Sequence, residues 1–371
     1  MLSRRPGGRN DDPGLVIRPG ACQHSGMRNT TLLLLFACLA GAASAAPPAQ
    51  PAADAAYTVS PLPLPGGGDD GILMDYLAFD PATGFVWVPA GNTGAVDVVD
   101  TAQGKVKQVS GFPTTEVQFR GGKRQVGPSS AAVGEGVVYV GNRGDSSICA
   151  VDARSLTRGA CGKLDSSPDG LAYVAATKEL WVTTPRDSSV RILDGATLVQ
   201  KARIAFDGRP EGFAVDPVRG RFYTNLEDKD KTLAIDIKSH QTVATWNPRC
   251  GEEGPHGLRL DAKAGFLFVA CDDHTEVLDA AHDGAVLSSI DTGAGVDDLD
   301  YAPASRLLYV GAAKAAKLTV AKVDAGGKIS LVAQVPTRAG ARNGVVTPSG
   351  RVYLGHGSTP KSSDLLVVSP E

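Results

Sequence analysis

The sequence predicts an all-β fold: a seven-bladed β-propeller of four-stranded antiparallel blades in one closed ring. Three observations predict it. One unit recurs seven times from Asp75 onward, each unit alternates short apolar strands with tight turns, and the last unit lacks a strand that the segment before the first can supply. The copies read DYLAFDPATGFVWVPAGN from Asp75, SSAAVGEGVVYVGNRG from Ser129, DGLAYVAATKELWVTTPR from Asp169 and EGFAVDPVRGRFYTNLED from Glu211. They continue as HGLRLDAKAGFLFVACDD from His256, DDLDYAPASRLLYVGAAK from Asp297 and NGVVTPSGRVYLGHGS from Asn343. Their spacing is about 40 to 46 residues, and about 54 after the first copy, which is the period of a four-stranded propeller blade.

The chain opens on a segment that belongs to export rather than to the fold. From Met27 it reads MRNTTLLLLFACLAGAASA, with Arg28 as the charged start, an apolar run over residues 32–39 and a small-residue cleavage site ending at Ala45. That is the pattern of a secretory signal peptide, and the run is too short for a permanent membrane span. Residues 1–45 are therefore read as an upstream extension plus signal, residues 46–55 as a flexible Pro/Ala-rich leader, and residues 56–371 as the propeller. The expected location is the periplasm or the exterior, with no transmembrane anchor in the mature chain. Loss of residues 1–45, which carry five Arg and two Asp, moves the formal charge from −3 to about −6. A mildly acidic product lacks the broad positive field that draws nucleic acid, so that partner class is disfavoured.

Within the first copy, Leu77 and Phe79 alternate with Ala78, the turn from Asp80 to Gly84 follows, and Val86, Trp87 and Val88 begin the partner strand. A third strand over residues 95–100 ends in Val-Val-Asp, echoed by runs ending at Asp152, Asp194, Asp236 and Asp279. These Asp residues read as turn initiators whose carboxylates cap their own loop amides. Fourth, outer strands are expected over residues 105–110, 202–206 and 286–290. The last copy offers only three strands before Glu371, and residues 57–64 complete its blade from outside, where their prolines are tolerated. Residues 113–126 are an insertion between the first two blades, an extended hairpin or loop in which Arg120, Lys123 and Arg124 lie close together, read either as a solvated insertion or as a basic lip that contacts a partner or ligand.

Cys149, Cys161, Cys250 and Cys271 remain after the signal, an even number in an oxidising compartment. Three pairings are open. Cys149 and Cys161 can face each other across a predicted hairpin, leaving Cys250 to join Cys271. The spacing matches no C-x-x-C metal site.

In a propeller the residue opening each innermost strand stands beside one mouth of the central channel. Asp75, Ser129, Asp169, Glu211, His256, Asp297 and Asn343 are those residues, and their convergence predicts a polar ligand-binding ring. Carboxylates facing one another raise each other's pKa or attract a cation, and oxygen ligands with one imidazole suit Ca²⁺, Mg²⁺, Mn²⁺ or Zn²⁺. Asn92, Asn142, Arg143, Asn225, Asp272, His274 and His356, at the ends of second strands, are candidates for a surrounding shell. No G-x-S-x-G elbow, P-loop, H-E-x-x-H or C-x-x-C-H motif is present, which removes serine-hydrolase, nucleotide-dependent and c-type cytochrome chemistry from motif-based assignment.

The tandem pattern P-x-G-φ-A-φ-D-P-x-x-x-x-φ-Y-V-x-N starts at Pro210, Glu211 and Gly212 and reaches Asn225. It starts again at Pro255, His256 and Gly257 and reaches Cys271, with a further trace over residues 136–142. It resembles the exported bacterial YVTN-repeat, YncE-like β-propeller family over essentially the whole mature chain. That resemblance implies a periplasmic or secreted binding protein, and single-stranded DNA binding has been attributed to some members. A second resemblance is to gluconolactonase-type lactonases, six-bladed enzymes that hold Ca²⁺ or Zn²⁺ on a Glu, an Asn and an Asp. Pro168-Asp169-Gly170, Pro210-Glu211-Gly212 and Arg342-Asn343-Gly344 are similar to those ligand triplets, which implies Asp169, Glu211 and Asn343 as metal ligands. The ion would polarise an ester carbonyl and activate water, with Asp297 moving protons. The expectation is thus a monomeric, exported binding or scaffold module for a small molecule or a protein, its alternative a metal-dependent lactonase-like hydrolase.

Overall fold

The computed structural model describes residues 56–119, 122–357 and 361–371. The export segment and leader expected over residues 1–55 lie outside the described residues.

Seven four-stranded antiparallel sheets follow one another along the chain, and their innermost strands neighbour each other round a complete ring. Blade 1 is Ala78–Asp80, Phe85–Ala90, Ala95–Asp100 and Lys105–Ser110 from the axis outward. Blades 2 to 6 begin with inner strands Pro128–Val133, Leu171–Val174, Pro210–Asp216, Pro255–Asp261 and Val296–Ala302. Blade 7 is Ala341–Val346, Val352–His356 and Asp364–Pro370, and its outer strand is Tyr57–Pro63 from the far end of the chain, paired antiparallel from Tyr57 opposite Pro370 to Pro63 opposite Asp364. This pairing covers the edge the C-terminal strand would otherwise leave open, and Pro61 and Pro63 sit on the outermost strand, where a missing N–H costs nothing. Helical structure among the described residues is limited to three 3₁₀ turns, and no helix is long and apolar enough to cross a membrane.

The core is a set of inter-blade sandwiches rather than one centre. Seven apolar clusters occur among the described residues, and each draws on two adjacent blades: Trp87, Val96 and Val98 of blade 1 against Val138, Val140 and Val151 of blade 2, for example. Trp181 of blade 3 packs on Phe222 of blade 4, ring centres 4.7 Å apart. A sheet apolar on both faces has to be covered on both sides, and closing the ring covers all seven. Full burial of each such side chain contributes about 1.5–3 kcal/mol.

Local chemistry sets the turns. Asp100, Asp152, Asp194 and Asp236 each accept N–H bonds from the residues two and three positions on, and Asp279 from Ala281. These are the caps the repeated Val-Val-Asp ending predicts. Disulfides join Cys149 to Cys161, paired across adjacent strands of blade 2, and Cys250 to Cys271. The insertion is a two-stranded hairpin, Thr115–Phe119 with Gly122–Val126, standing outside the blades.

Candidate functional site: the channel mouth

The inner strands do not run straight into the mouth. In blades 2, 4, 5, 6 and 7 the pairing with the second strand shifts register at the opening residue: between Pro128 and Ser130, Pro210 and Phe213, Pro255 and Leu258, Val296 and Leu299, and Ala341 and Gly344. Ser129, Glu211, His256, Asp297 and Asn343 therefore stand in β-bulges, which free a side chain from the ladder and re-aim it. The glycine after the opener serves the next blade. A Cβ on Gly212 would lie 2.1 Å from the His256 carbonyl oxygen, and one on Gly257 2.6 Å from the Asp298 Cα, so adjacent bulges pack backbone to backbone. Asn225 locks this arrangement by donating its amide to the His256 carbonyl at 2.7 Å while accepting from the Thr232 hydroxyl at 2.7 Å.

Six of the seven opening residues meet in one charged network. Asn343 donates its amide to Asp75 at 3.0 Å and to Asp297 at 2.8 Å. Arg143, on the loop after the second strand of blade 2, pairs with Asp75 at 2.8 Å and also with Asp169, spanning blades 1 to 3. Arg342 pairs with Asp297 at 3.1 Å, and His256 Nδ1 lies 3.4 Å from Glu211. Glu211 also shares a hydrogen bond with Glu227. Ser129 stands to one side. It is 6% exposed and its hydroxyl has no partner, while its carbonyl accepts from the Tyr76 N–H at 3.1 Å and so ties blade 2 to the start of blade 1.

Five carboxyl groups and two guanidiniums border a cavity of about 170 Å³ at this mouth. Burial, followed by the like charges of Asp169 and Asp297, pushes Asp75 up to about 6, although Arg143 and Arg342 pull the other way. Burial likewise raises Asp169, against the pull of Arg143. Glu211 is held well above the usual carboxylate range by burial, by its bond to Glu227 and by the negative charge of Asp297. The two sides of the ring thus differ. Arg143 compensates the carboxylates of blades 1 and 3, whereas Glu211 has His256, Asp297 and Glu227 beside it, and Arg209 pairs with Glu227 at 2.8 Å rather than with Glu211. One ligand atom each from Glu211, His256 and Asp297 lies within 4.8 Å of the others, a spacing one cation can bridge.

Of the residues the lactonase resemblance implies, Asp169 is engaged by Arg143, and Asn343 turns its amide N–H groups toward carboxylates. The surrounding shell divides. Arg143 reaches the centre; Asn92, Asn142 and Asn225 clamp backbone of neighbouring loops, with Asn92 donating to Gly71 at 2.8 Å and Asn142 to Pro113 at 3.0 Å. Asp272 pairs with Lys314, His274 with Asp273, and the His356 ring bonds the Gly357 carbonyl. Sequence reasoning did not single out Glu227 or a second charged group farther in. There, Arg259 holds Asp298 at 2.8 Å and Asp300 at 3.2 Å, and Asp300 accepts the Val346 N–H at 2.7 Å, linking blades 5, 6 and 7. The available signal was positional. The loop after each second strand lies beside the start of the first, so Leu226-Glu227 corresponds to Asn142-Arg143.

Fold and mouth together define the class: a seven-bladed β-propeller with a charged axial site. No family model and no curated protein matches the sequence. Solved structures share the architecture. A chain of the mitotic checkpoint complex matches at 15% identity over 87% of this chain and 96% of that one, with a TM-score of 0.65. A chain of Kuenenia stuttgartiensis hydrazine synthase matches at 15% identity over 81% and 96%, TM-score 0.65, and the RRP9 WD40 repeats at 11% over 84% and 97%, TM-score 0.66. At such identities the likeness is one of fold alone.

Proposed function

We propose that this chain is an exported, monomeric binding propeller of the YVTN-repeat, YncE-like kind, which recognises a small polar ligand or a protein segment at the charged mouth. One observation carries the reading: residues of six blades line a single polar cavity, with His256 of blade 5 standing 3.4 Å from Glu211, an acid that has no guanidinium partner among the described residues, while Arg143 and Arg342 lie on the other side. Buried charge of this kind is costly to a fold and finds its use in a complementary ligand. The two disulfides support the exported part of the reading. Protein recognition draws support from the neighbour that is part of the mitotic checkpoint complex.

The Glu211, His256 and Asp297 cluster favours a second reading, in which a divalent cation sits on the blade 4 to 6 side and the mouth acts as a lactonase-like hydrolase. Two carboxylates and an imidazole fit Zn²⁺ or Mn²⁺ better than Ca²⁺, which takes more oxygen ligands.

Thermal unfolding of the purified protein against panels of small metabolites, peptides and divalent cations separates these readings. A ligand present at about 100 times its Kd raises stability by about 2.7 kcal/mol. Stabilisation without turnover, lost in Glu211→Gln, supports binding. Chelator-sensitive lactone hydrolysis with a co-purifying metal supports the hydrolase. No stabilisation by any panel member would sink the mouth as a ligand site.

A further inference from the structure

We propose that the rim of the mouth between blades 7, 1 and 2 is a site for one compact oxyanion, a carboxylate or a phosphate group, held by Arg124, Arg143, Arg342 and the Ser129 hydroxyl. The inference deepens the reading of the mouth as a binding site and rests on it.

Beside the acidic cavity lies a smaller one of about 90 Å³, into which these four residues converge. The rest of its lining is apolar residues, glycines 91, 127 and 357, and one acid, Asp75, already bound by Arg143 and Asn343. Ser129 gives the independent sign of a ligand. Its side chain is 6% exposed, borders the cavity and has no hydrogen-bond partner, a state that costs about 1–3 kcal/mol unless something fills it. The sequence places it there by a bulge, between Pro128 and Ser130, that turns the residue out of its ladder.

The positive charge is concentrated by an addition to the fold. Arg124 arrives on the hairpin Thr115–Phe119 with Gly122–Val126, the sole two-stranded sheet among the described residues. An adjoining cavity of about 180 Å³ brings in Arg186 beside Arg124 and Arg143. Burial, and then the field of Arg143 with smaller contributions from Arg342 and Arg186, hold the Arg124 guanidinium below its ordinary pKa against the opposing pull of Asp75. An anion among these groups would offset that repulsion and use the planar forks that match carboxylate and phosphate oxygens. A cation has no comparable arrangement here, because the one carboxylate in the lining is already shared by a guanidinium and an amide.

Calorimetric titration of the whole protein in low-chloride buffer, with sodium acetate in one arm and inorganic phosphate in the other, tests the site. Saturable binding is expected in at least one arm, and the arm that responds identifies the oxyanion. Arg124→Gln, on a hairpin outside the blades, should weaken it about tenfold or more, and Ser129→Ala about threefold or more. Without ligand the thermal midpoint of Arg124→Gln should stay close to that of the unmodified protein, and that of Ser129→Ala should not fall below it. Equal binding in Arg124→Gln and the unmodified protein overturns the assignment, as does the absence of saturable binding in both arms. If both anions fail while a metabolite, peptide or divalent cation still stabilises the protein, the oxyanion site alone falls and the wider reading of the mouth stands.

Discussion

Arg143→Met isolates what one guanidinium does for the ring. In the native protein it lies between Asp75 and Asp169, residues on two different blades, and its side chain is 26% exposed. Breaking a buried pair by removing one partner costs about 3–5 kcal/mol, because the other charge is left uncompensated. Partial exposure places this case at the lower end, about 3 kcal/mol at pH 8. The pH dependence makes the argument specific. Asp75 already sits at about 6 with Arg143 present, and without it both carboxyl groups move higher. A carboxyl whose folded pKa lies above its unfolded value contributes stability that is fully present below the unfolded pKa and is lost as pH rises through the folded one. The variant should therefore lose more stability than the native protein between pH 5 and pH 8. At pH 5 Asp75 is largely protonated, and the deficit should shrink toward about 1 kcal/mol, the worth of the hydrogen bonds removed. Urea midpoints at the two pH values, with unchanged slopes, read both numbers. Equal deficits at both pH values would mean that Arg143 acts by packing, and the electrostatic account of the mouth would fail.

Two further outcomes are expected. Asp97 is fully buried and is pushed up to about 6 by burial, with Gln108 as its donor at 2.9 Å and its second oxygen unpartnered. Asp97→Asn should raise stability by about 2 kcal/mol at pH 8 and by much less at pH 4, where the native carboxyl is neutral and about half of the unfolded-state carboxyl is ionised; a gain of the same size at both pH values refutes this. A chain beginning after Pro63 lacks the outer strand of blade 7 and leaves Asp364–Pro370 as an open edge. Sedimentation should show self-association, and a fully monomeric, equally stable product would show that closure is dispensable.

Much of the fold was legible because its determinants are local. Asp100 and its four counterparts cap turns within three residues of themselves, and Trp87 and Trp181 mark second strands whose alternation needs no distant information. Even ring closure could be read, since a last unit one strand short and a spare strand upstream have one economical solution. The bulges could not. P-x-G at residues 210–212 and 255–257 looks like a turn, and only the approach of the next blade's backbone to Gly212 and Gly257 shows that these glycines lie inside strands.

The site was legible as a set of residues but not as a pattern of charge. A list of opening residues describes a ring with four carboxyl groups and predicts mutual repulsion all round it. Arg143 changes this through contacts 68 and 26 residues away in sequence, and no period reveals which loop residue will reach which opener. The result is polarity across the mouth. Guanidiniums gather over blades 7, 1 and 2, whereas over blades 4 to 6 Glu211 stands without a guanidinium partner among the described residues, beside Glu227, which Arg209 pairs at 2.8 Å, and Asp297, which Arg342 pairs at 3.1 Å. A symmetric acidic ring would select cations by charge alone. This ring instead has a direction, and under the proposed function a ligand carrying both a positive and a negative group would be told from one carrying either singly. That selectivity would come from unlike side chains placed on like blades.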